Sequence, residues 1–476
     1  MQQPQAQPAE KFSEKFTDHA VNGVNLTEQT ADFVAAHRTE DVRELALKSK
    51  RVEGLDLPLA LDQIAGWQIA CKKLPQWASC EGIIYPPHIS MEQCSSQFTA
   101  QYKSEIAQTL LTPAVTVRAR MSDSAESDNQ TTKSEPPLSD SVESDNCEVE
   151  MCLRMSDSPE SDTLVARSSM VDLTGGFGVD FSYLARGFSQ ATYVERQRHL
   201  CDLAEHNMAA LGLDQARIVC GDGVEYLRQM DPVDFIYLDP ARRDEHGSRT
   251  YAIEDCTPNV LELRDLLLAK SQCTLVKLSP MLDWRKAVAD FDGTVREVHI
   301  VATGNECKEL LLVLGQQVHE EPSAPRVFCV NDNQRIDYDS AAYTQGLRIG
   351  GKPLPEAKNY LYEPNASIMK AGCFDLVEER FGVTQVGPSS HLFVSATPVA
   401  DFPGRGFAIE AIGGMNKKDI KRLLNGTKQA NIAVRNFPLT APQLRKKLKL
   451  ADGGPVYLFG TTMQGCDHVL LRTSKI

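Results

Sequence analysis

From Ser169 onward, short apolar runs alternate with stretches in which apolar side chains recur every three to four residues. The runs are SMVDL from Ser169, ATYVE from Ala191, ARIVC from Ala216, DFIYL from Asp234 and CTLVKL from Cys273. Each reads as a short strand bounded by turn residues. Helical segments lie between them. One runs from Val179 to Arg186 and closes at Gly187; another puts Leu200, Leu203, Ala204, Met208 and Leu211 on one face and stops at Gly212. Strand–helix alternation predicts right-handed crossovers and a largely parallel sheet covered on both faces. After Asp283 come one helix and two runs, VREVHIVA and ELLLVLG, with too little chain between them for a crossover helix. The last strand is therefore expected to be antiparallel, in an α/β, Rossmann-like, doubly wound sheet.

The rest of the chain follows other patterns. Residues 1–26 carry no apolar core and read as disordered. Residues 27–118 predict helices: Leu57, Leu61, Ile64 and Cys71 fall on one face, as do Phe98, Tyr102 and Ile106. At 119–163 an acidic unit repeats with a step of 17 residues, as MSDSAESD, LSDSVESD and MSDSPESD from Met121, Leu138 and Met155. Such a segment buries too little apolar surface to offset the entropy of ordering, and is read as a disordered insertion.

The chain has 476 residues, so several domains are expected. Its 42% apolar and 24% charged content excludes fibrous or wholly disordered classes. No apolar stretch is long enough to span a membrane, and the first residues lack a signal core, so the expectation is a cytoplasmic protein without a membrane partner. Thirteen scattered cysteines form no CxxC pair, and ten histidines never fall at ligand spacing. Reduced thiols and no metal site are expected. Net charge is −14, but it is segregated: residues 121–162 hold twelve acids against two bases, and residues 403–476 hold thirteen bases against four acids. A basic module on an acidic protein suits phosphate backbones.

Ligands of such sheets bind at the carboxyl ends of the strands. The first strand ends Asp172-Leu-Thr174-Gly175-Gly176-Phe177-Gly178, where glycines let the backbone turn tightly and the next helix start offers free N–H groups. The second ends in Glu195, a carboxylate able to accept both hydroxyls of a ribose. The third ends Gly221-Asp222-Gly223, where an acid can meet the exocyclic amine of adenine. The fourth ends Asp239-Pro240-Ala241-Arg242. Each also has a plainer reading, with Asp172 and Asp222 as helix caps and Glu195 at a solvated helix start. A dinucleotide fingerprint would need a small residue where Phe181 stands, and there is no GK[ST] phosphate loop. An acid at the first strand end suits the cationic amino-acid part of S-adenosylmethionine.

With VDLTGGFG, YVE, CGDG and YLDPAR, the sequence resembles the class I S-adenosylmethionine-dependent methyltransferases of the nucleic-acid branch. The resemblance implies a seven-stranded sheet. It gives Asp172, Thr174, Gly175, Gly176 and Gly178 to the methionine end, Glu195 to the ribose, and Asp222 with Gly223 to adenine. Thr174 stands where the family has its first glycine. Asp239-Pro240-Ala241-Arg242 is similar to the family's (Asp/Asn)-Pro-Pro-aromatic motif, with Ala241 and Arg242 as departures. More narrowly, ISMEQCSSQFTAQYK, YEPNASIMKAG, ADFPGRGFAIEAI and NFPLTAPQLRKKLKLADGG make the chain resemble bacterial methyltransferases with a C-terminal THUMP-like domain. That implies an RNA substrate, tRNA or rRNA. The domains expected are the methyltransferase sheet at 164–320, a small domain resembling ferredoxin-like folds at 325–400, and the THUMP-like domain at 401–476.

A base amine is a weak nucleophile, because its lone pair is delocalised into the ring. Asp239 and the carbonyl of Pro240 can accept its N–H groups, with Arg242 beside them to stack or to hold phosphate. Tyr251, Phe177 and Trp284 are the candidate stacking aromatics, with an ordinary core or rim position as the alternative for each. Methylation at uridine C5 needs a cysteine at the fifth strand end, where Lys277-Leu-Ser-Pro280 stands. Ribose 2′-O-methylation uses a Lys-Asp-Lys-Glu set, which Lys103, Asp239, Lys277 and Glu309 can mimic. A non-catalytic RNA-binding protein holding S-adenosylmethionine as a structural ligand is the alternative of another class. Lys417, Lys418, Arg435, Arg445, Lys446 and Lys447 are the candidate RNA contacts.

Overall fold

The computed structural model describes residues 26–49, 52–86, 88–111, 168–241, 252–315, 324–342, 358–387, 389–465 and 467–476. The acidic repeat, and all of the N-terminal segment before Leu26, lie outside the described residues.

Helices α1 (Glu28–His37), α2 (Val42–Lys48), α3 (Leu57–Lys73), α4 (Pro75–Ser79), α5 (His88–Gln93) and α6 (Gln97–Leu111) come first. The side chains of Thr27, Asp41 and Asp56 cap the first three by accepting backbone N–H groups. The sheet domain then runs β1 (Ser169–Asp172), α7 (Val179–Leu184), β2 (Gln190–Glu195), α8 (Arg198–Ala210), β3 (Ala216–Cys220), α9 (Gly223–Gln229), β4 (Val233–Leu238), α10 (Val260–Lys270), β5 (Ser271–Leu278), α11 (Trp284–Asp290), β6 (Val295–Thr303), β7 (Glu306–Gly315), β8 (Arg326–Asn331) and β9 (Gln334–Asp339). The strand order is β3-β2-β1-β4-β5-β7-β6-β8-β9. Strands β1 to β5 are parallel and β7 is antiparallel to β5, from Cys273↔Gly315 to Leu278↔Leu310. The order reverses at β1, between β2 and β4, so the crevice of this sheet opens there.

The RVFCV run from Arg326, a strand candidate for the small domain expected at 325–400, corrects the expected layout. It forms β8, pairs in parallel with β6, and extends the sheet from the expected seven strands to nine. It therefore does not belong to the small domain expected from residue 325.

Period-two alternation splits the strand side chains between two cores. Phe235, Tyr237 and Leu275 face one side, where Trp77, Tyr85, Tyr102 and Ile106 of the helical segment pack against them through Phe177, Phe181 and Tyr193. Ile236, Leu238, Val276 and Leu278 face the other, continuous with Tyr362, Ile368, Phe393 and Phe402. The N-terminal helices thus share a core with the sheet. Tyr102 reaches His299 at 2.8 Å, and Arg335 pairs with Glu105 at 2.8 Å, fixing α6 to β6 and β9.

The C-terminal part contains β10 (Tyr360–Pro364), α12 (Ala366–Ala371), α13 (Phe374–Phe381), β11 (Thr384–Gln385), β12 (Phe393–Ser395), β13 (Gly404–Gly413), α14 (Lys417–Leu424), β14 (Asn431–Arg435), α15 (Ala441–Leu448), β15 (Val456–Thr462) and β16 (His468–Lys475). These strands form one sheet, β11-β12-β10-β13-β16-β15-β14, in which β10 pairs with β13 across the boundary between the two expected small domains.

Candidate active site

The chain leaving β1 is held on both sides. Leu173 N bonds to Tyr237 O at 3.1 Å, and Gly175 N to Val194 O at 2.9 Å. Gly175 has no room for a side chain, since a Cβ would lie 2.1 Å from the Tyr193 ring; Gly178, at φ +84°, starts α7 in the left-handed region. Asp172 is buried and accepts the N–H of Thr174 at 2.9 Å. Glu195 braces the turn from β2, taking Gly176 N on one oxygen at 3.0 Å and Gln197 N on the other at 2.9 Å. Asp222 is the N-cap of α9 and accepts Val224 N and Glu225 N on a single oxygen. Gly223 packs against the turn so closely that a Cβ would meet Leu173 O at 2.1 Å.

Thr174 connects this turn to the fourth strand. Its hydroxyl accepts the backbone N–H of Asp239 at 2.7 Å. A glycine, which the resemblance leads one to expect there, could not do this. The tips of β1, β2 and β4 are therefore one hydrogen-bonded unit.

Beyond Asp239 lies a buried ionic cluster. Lys277 Nζ is 2.7 Å from Asp239 Oδ2, 3.5 Å from Asp180 Oδ2 and 3.9 Å from Glu309 Oε1. Lys103 Nζ, its side chain fully buried, is 2.5 Å from Glu309 Oε2 and 3.1 Å from Asp180 Oδ1. The Ser95 hydroxyl donates to Asp180 at 2.8 Å, and the Tyr237 hydroxyl donates to it at 2.7 Å. Burial alone would lower Lys277, but Asp239, Asp180 and Glu309 outweigh it and hold the ammonium far above its ordinary value. Burial alone would raise Asp180, yet Lys103 and Lys277, with the Tyr237 and Ser95 hydroxyls, hold it well below the ordinary carboxylate range. Asp172 goes the other way. Burial raises it strongly, Asp180, Asp239 and Glu195 add to the rise, and the Thr174 N–H only partly opposes it.

Asp172 is therefore a buried acid that lacks a cation among the described residues, beside a turn too tight for a side chain at Gly175. These features fit the ammonium end of S-adenosylmethionine. On the far side of Pro240 is a cavity of about 170 Å³, lined by Ile253, Cys256, Leu278, Met281 and Leu282 and reaching Lys277.

Several sequence candidates lie elsewhere. Arg242 and Tyr251 are outside the described residues. Phe177 packs on Trp77 with ring centroids 5.0 Å apart, and buried Trp284 donates to Ala371 O at 3.2 Å, so both are core aromatics and not free to stack on a base. Arg435 is engaged by buried Glu363 at 2.8 Å. Arg445 donates to the carbonyls of Ala430 and Ala451 and pairs with Asp452, which ties α15 into its sheet. Lys417, Lys418, Lys446 and Lys447 are exposed. Asp180 and Ser95 carried no sequence signal beyond the nearness of Asp180 to the glycine turn.

Residues 360–403 match the family of a ferredoxin-like domain, and residues 404–475 a family described as THUMP domain-like. A crystal structure of a candidate methyltransferase from Porphyromonas gingivalis W83 is similar over 94% of this chain and 97% of its own, at 29% identity and a TM-score of 0.72. The chain has the methyltransferase fold with a THUMP-like C terminus. The methyltransferase part also aligns with an S-adenosylmethionine-dependent methyltransferase from Agrobacterium tumefaciens, at 18% identity over 32% of this chain and 56% of that one, TM-score 0.25. It aligns as well with an rRNA methylase from Streptococcus thermophilus, at 15% identity over 32% of this chain and 88% of that one, TM-score 0.24. No curated protein matches. Among the described residues of this methyltransferase fold, no helix is long and apolar enough to cross a membrane.

Proposed function

We propose that the protein transfers the methyl group of S-adenosylmethionine to a base nitrogen of RNA, in tRNA or rRNA. The observation that carries this reading is Asp239, fixed at the tip of β4 by Thr174 and Lys277. Among the described residues its second oxygen has no partner, and Pro240 beside it borders a cavity with an apolar side of Ile253, Leu278 and Leu282 and a polar rim of Ser279, Asp283, Lys286 and Asp290.

Asp172, Thr174, Gly175, Gly176 and Gly178 would hold the methionine end, Glu195 the ribose, and Asp222 with Gly223 the adenine. When bound, S-adenosylmethionine supplies an electrophilic methyl group on a sulfonium. Asp239 Oδ1 and the Pro240 carbonyl accept the N–H groups of the target amine and localise its lone pair. Lys277, held protonated, fixes the other Asp239 oxygen and so the rotamer. The cavity accepts the flat ring, since engineered cavities of about 150 Å³ already hold benzene. A base from a duplex must first leave the stack. Positioning then supplies most of the effect, roughly 7–11 kcal/mol where alignment is good. The surplus proton of the amine leaves toward the Asp239 carboxylate. RNA as substrate is supported by the THUMP-like domain and by the exposed lysines of α14 and α15.

A second reading has its own observation. Lys103, Asp239, Lys277 and Glu309, the set suited to ribose 2′-O-methylation, stand within one ionic cluster. A ribose hydroxyl must give up its proton as it attacks, however, whereas an amine sheds its proton only after the methyl has arrived. Lys277 is held protonated and Lys103 is fully buried, so base-nitrogen transfer remains first.

Incubation with isotopically labelled cofactor and total RNA, followed by nucleoside mapping, tests both. Label on a base nitrogen is expected, and label on a ribose oxygen selects the second reading. Asp239→Ala should lower transfer on the order of a hundredfold while cofactor affinity stays near wild type. Cofactor binding with no transfer by the wild type to any RNA would make the protein a reader and not an enzyme.

A further inference from the structure

Asp180 takes part in neither reading of the methyl transfer, yet it has four partners, as many as Lys277. It stands two residues after Gly178, at the start of α7. It meets groups from three other elements and a loop: it forms an ion pair with Lys103 of α6 at 3.1 Å, and it accepts from Tyr237 of β4 at 2.7 Å, Lys277 of β5 at 3.5 Å and Ser95 of the segment before α6 at 2.8 Å. Its side chain is 11% exposed and that of Lys103 0%, so neither meets solvent-borne substrate directly. Asp239 is 36% exposed and sits at the mouth. The cluster thus runs from the helical segment, through Asp180 and Lys277, to the carboxylate that faces the crevice.

Asp180 and Glu309 are the two carboxylates within reach of both ammonium groups. Two ammonium groups, Lys103 and Lys277, meet three carboxylates, Asp180, Asp239 and Glu309. Without Asp180 the two lysines would depend on Glu309 and Asp239 alone. Lys277 would then be free to swing toward Glu309 and away from Asp239, or to lose its proton in a buried site. The other titratable groups facing the cluster are the thiol of Cys94, the phenol of Tyr237 and the carboxyl of Asp172.

We propose that Asp180 is a positioning residue for methyl transfer, and that through it Ser95 and Lys103 of the helical segment form part of the active centre. Asp180 keeps Lys277 charged and directed at Asp239, and so keeps the Asp239 carboxylate in one rotamer. The inference rests on Asp239 being the group that holds the methyl acceptor. It makes the helical segment a component of the reaction centre and not only a cover for the sheet.

The experiment compares full-length wild type with Asp180→Asn and Asp180→Glu. With lysine labelled at the ε-carbon by ¹³C and Lys277 assigned by substitution, NMR titration reads its protonation directly, without any turnover. In Asp180→Asn the Lys277 resonance should titrate at lower pH than in wild type. Transfer should fall on the order of tenfold or more in kcat, with KM for cofactor and RNA within about threefold. The basic limb of the kcat profile should move to lower pH, and Asp180→Glu should recover part of both effects. An unchanged Lys277 titration overturns the proposal whatever the activity. So does a loss of activity that only follows the folded fraction at every pH. If Asp180→Asn does not fold, Tyr237→Phe and Ser95→Ala each remove one donor to Asp180. A wild-type profile in both overturns the proposal, and a change in kcat without a matching change in KM supports it. Absence of transfer by the wild type would remove the methyltransferase reading, and the NMR result would still decide whether Asp180 governs Lys277.

Discussion

Asp172 shows how a single residue can be costly to the fold and useful to a ligand. Burial raises its pKa, and the nearby carboxylates of Asp180, Asp239 and Glu195 raise it further. The stability carried by its protonated form is fully present below the ordinary aspartate value of about 3.9 and is lost as pH rises through the elevated one. At neutral pH the ligand-free protein therefore carries a penalty at this position. Asp172→Asn removes it, so the ligand-free variant should unfold at a higher temperature than wild type near pH 7, with the difference closing below pH 4. The same substitution removes the negative charge that meets a ligand ammonium and leaves only a neutral amide oxygen. S-adenosylmethionine affinity should fall by roughly 10- to 100-fold, from the 1.5–3 kcal/mol typical of hydrogen bonds to charged groups. Below the elevated pKa, binding to the wild type should release a proton, so the calorimetric enthalpy should vary with the ionisation heat of the buffer. In Asp172→Asn it should not. A variant that binds as tightly as wild type would remove Asp172 from the cofactor site.

Among the elements, α6 separates what the sequence made legible from what it did not. Its apolar stripe through Phe98, Tyr102 and Ile106 was readable because a 3.6-residue period is local information. Lys103, next to that stripe, enters the sequence reading only as part of the Lys-Asp-Lys-Glu set, and its side chain is fully buried. The carboxylates that permit this, Asp180 and Glu309, arrive from distant parts of the chain, and no local pattern reports them. Strands β1 to β5 were legible because short apolar runs stood between turn residues, whereas β8 was placed in the wrong domain because its partner is a pairing, Glu297↔Arg326, and not a neighbour in sequence. Asp222 also has a double character: the capping role entertained for it is present, and only its second oxygen remains for an adenine amine. The buried pair gives a test at this scale. Lys103→Met leaves Glu309 and Asp180 short of a cation in a dry site and should cost about 3–5 kcal/mol of stability, read from the denaturant midpoint. Adding Glu309→Gln should recover part of that loss, since removing both partners is milder than orphaning one. If Lys103→Met unfolds at the wild-type midpoint, the cluster is not buried as described.

For the whole molecule, the relevant asymmetry is between the net charge of −14 and the basic C-terminal stretch. Association with RNA should depend on the local field of that stretch, because charges farther away than about 8 Å, the Debye length at physiological salt, are largely screened. Truncation at about Pro403 is a poor way to ask this question. It would strip β13 from β10 and expose an edge of the sheet that the ferredoxin-like and THUMP-like segments build together. Substitution on the surface leaves the sheet intact. Lys417, Lys418, Lys446 and Lys447 are exposed, whereas Arg435 and Arg445 hold Glu363, Asp452 and backbone carbonyls. Changing the four lysines to alanine should therefore weaken RNA binding while thermal stability and cofactor affinity stay unchanged. If each contacts one phosphate, the slope of log K against log salt should become shallower by roughly 0.7 per lysine on single strands and 0.9 on duplex. Changing Arg445 should do the reverse, lowering stability before it alters the salt slope. Equal slopes for wild type and the four-lysine variant would move the RNA surface away from α14 and α15, toward the crevice between Asp239 and the helical segment.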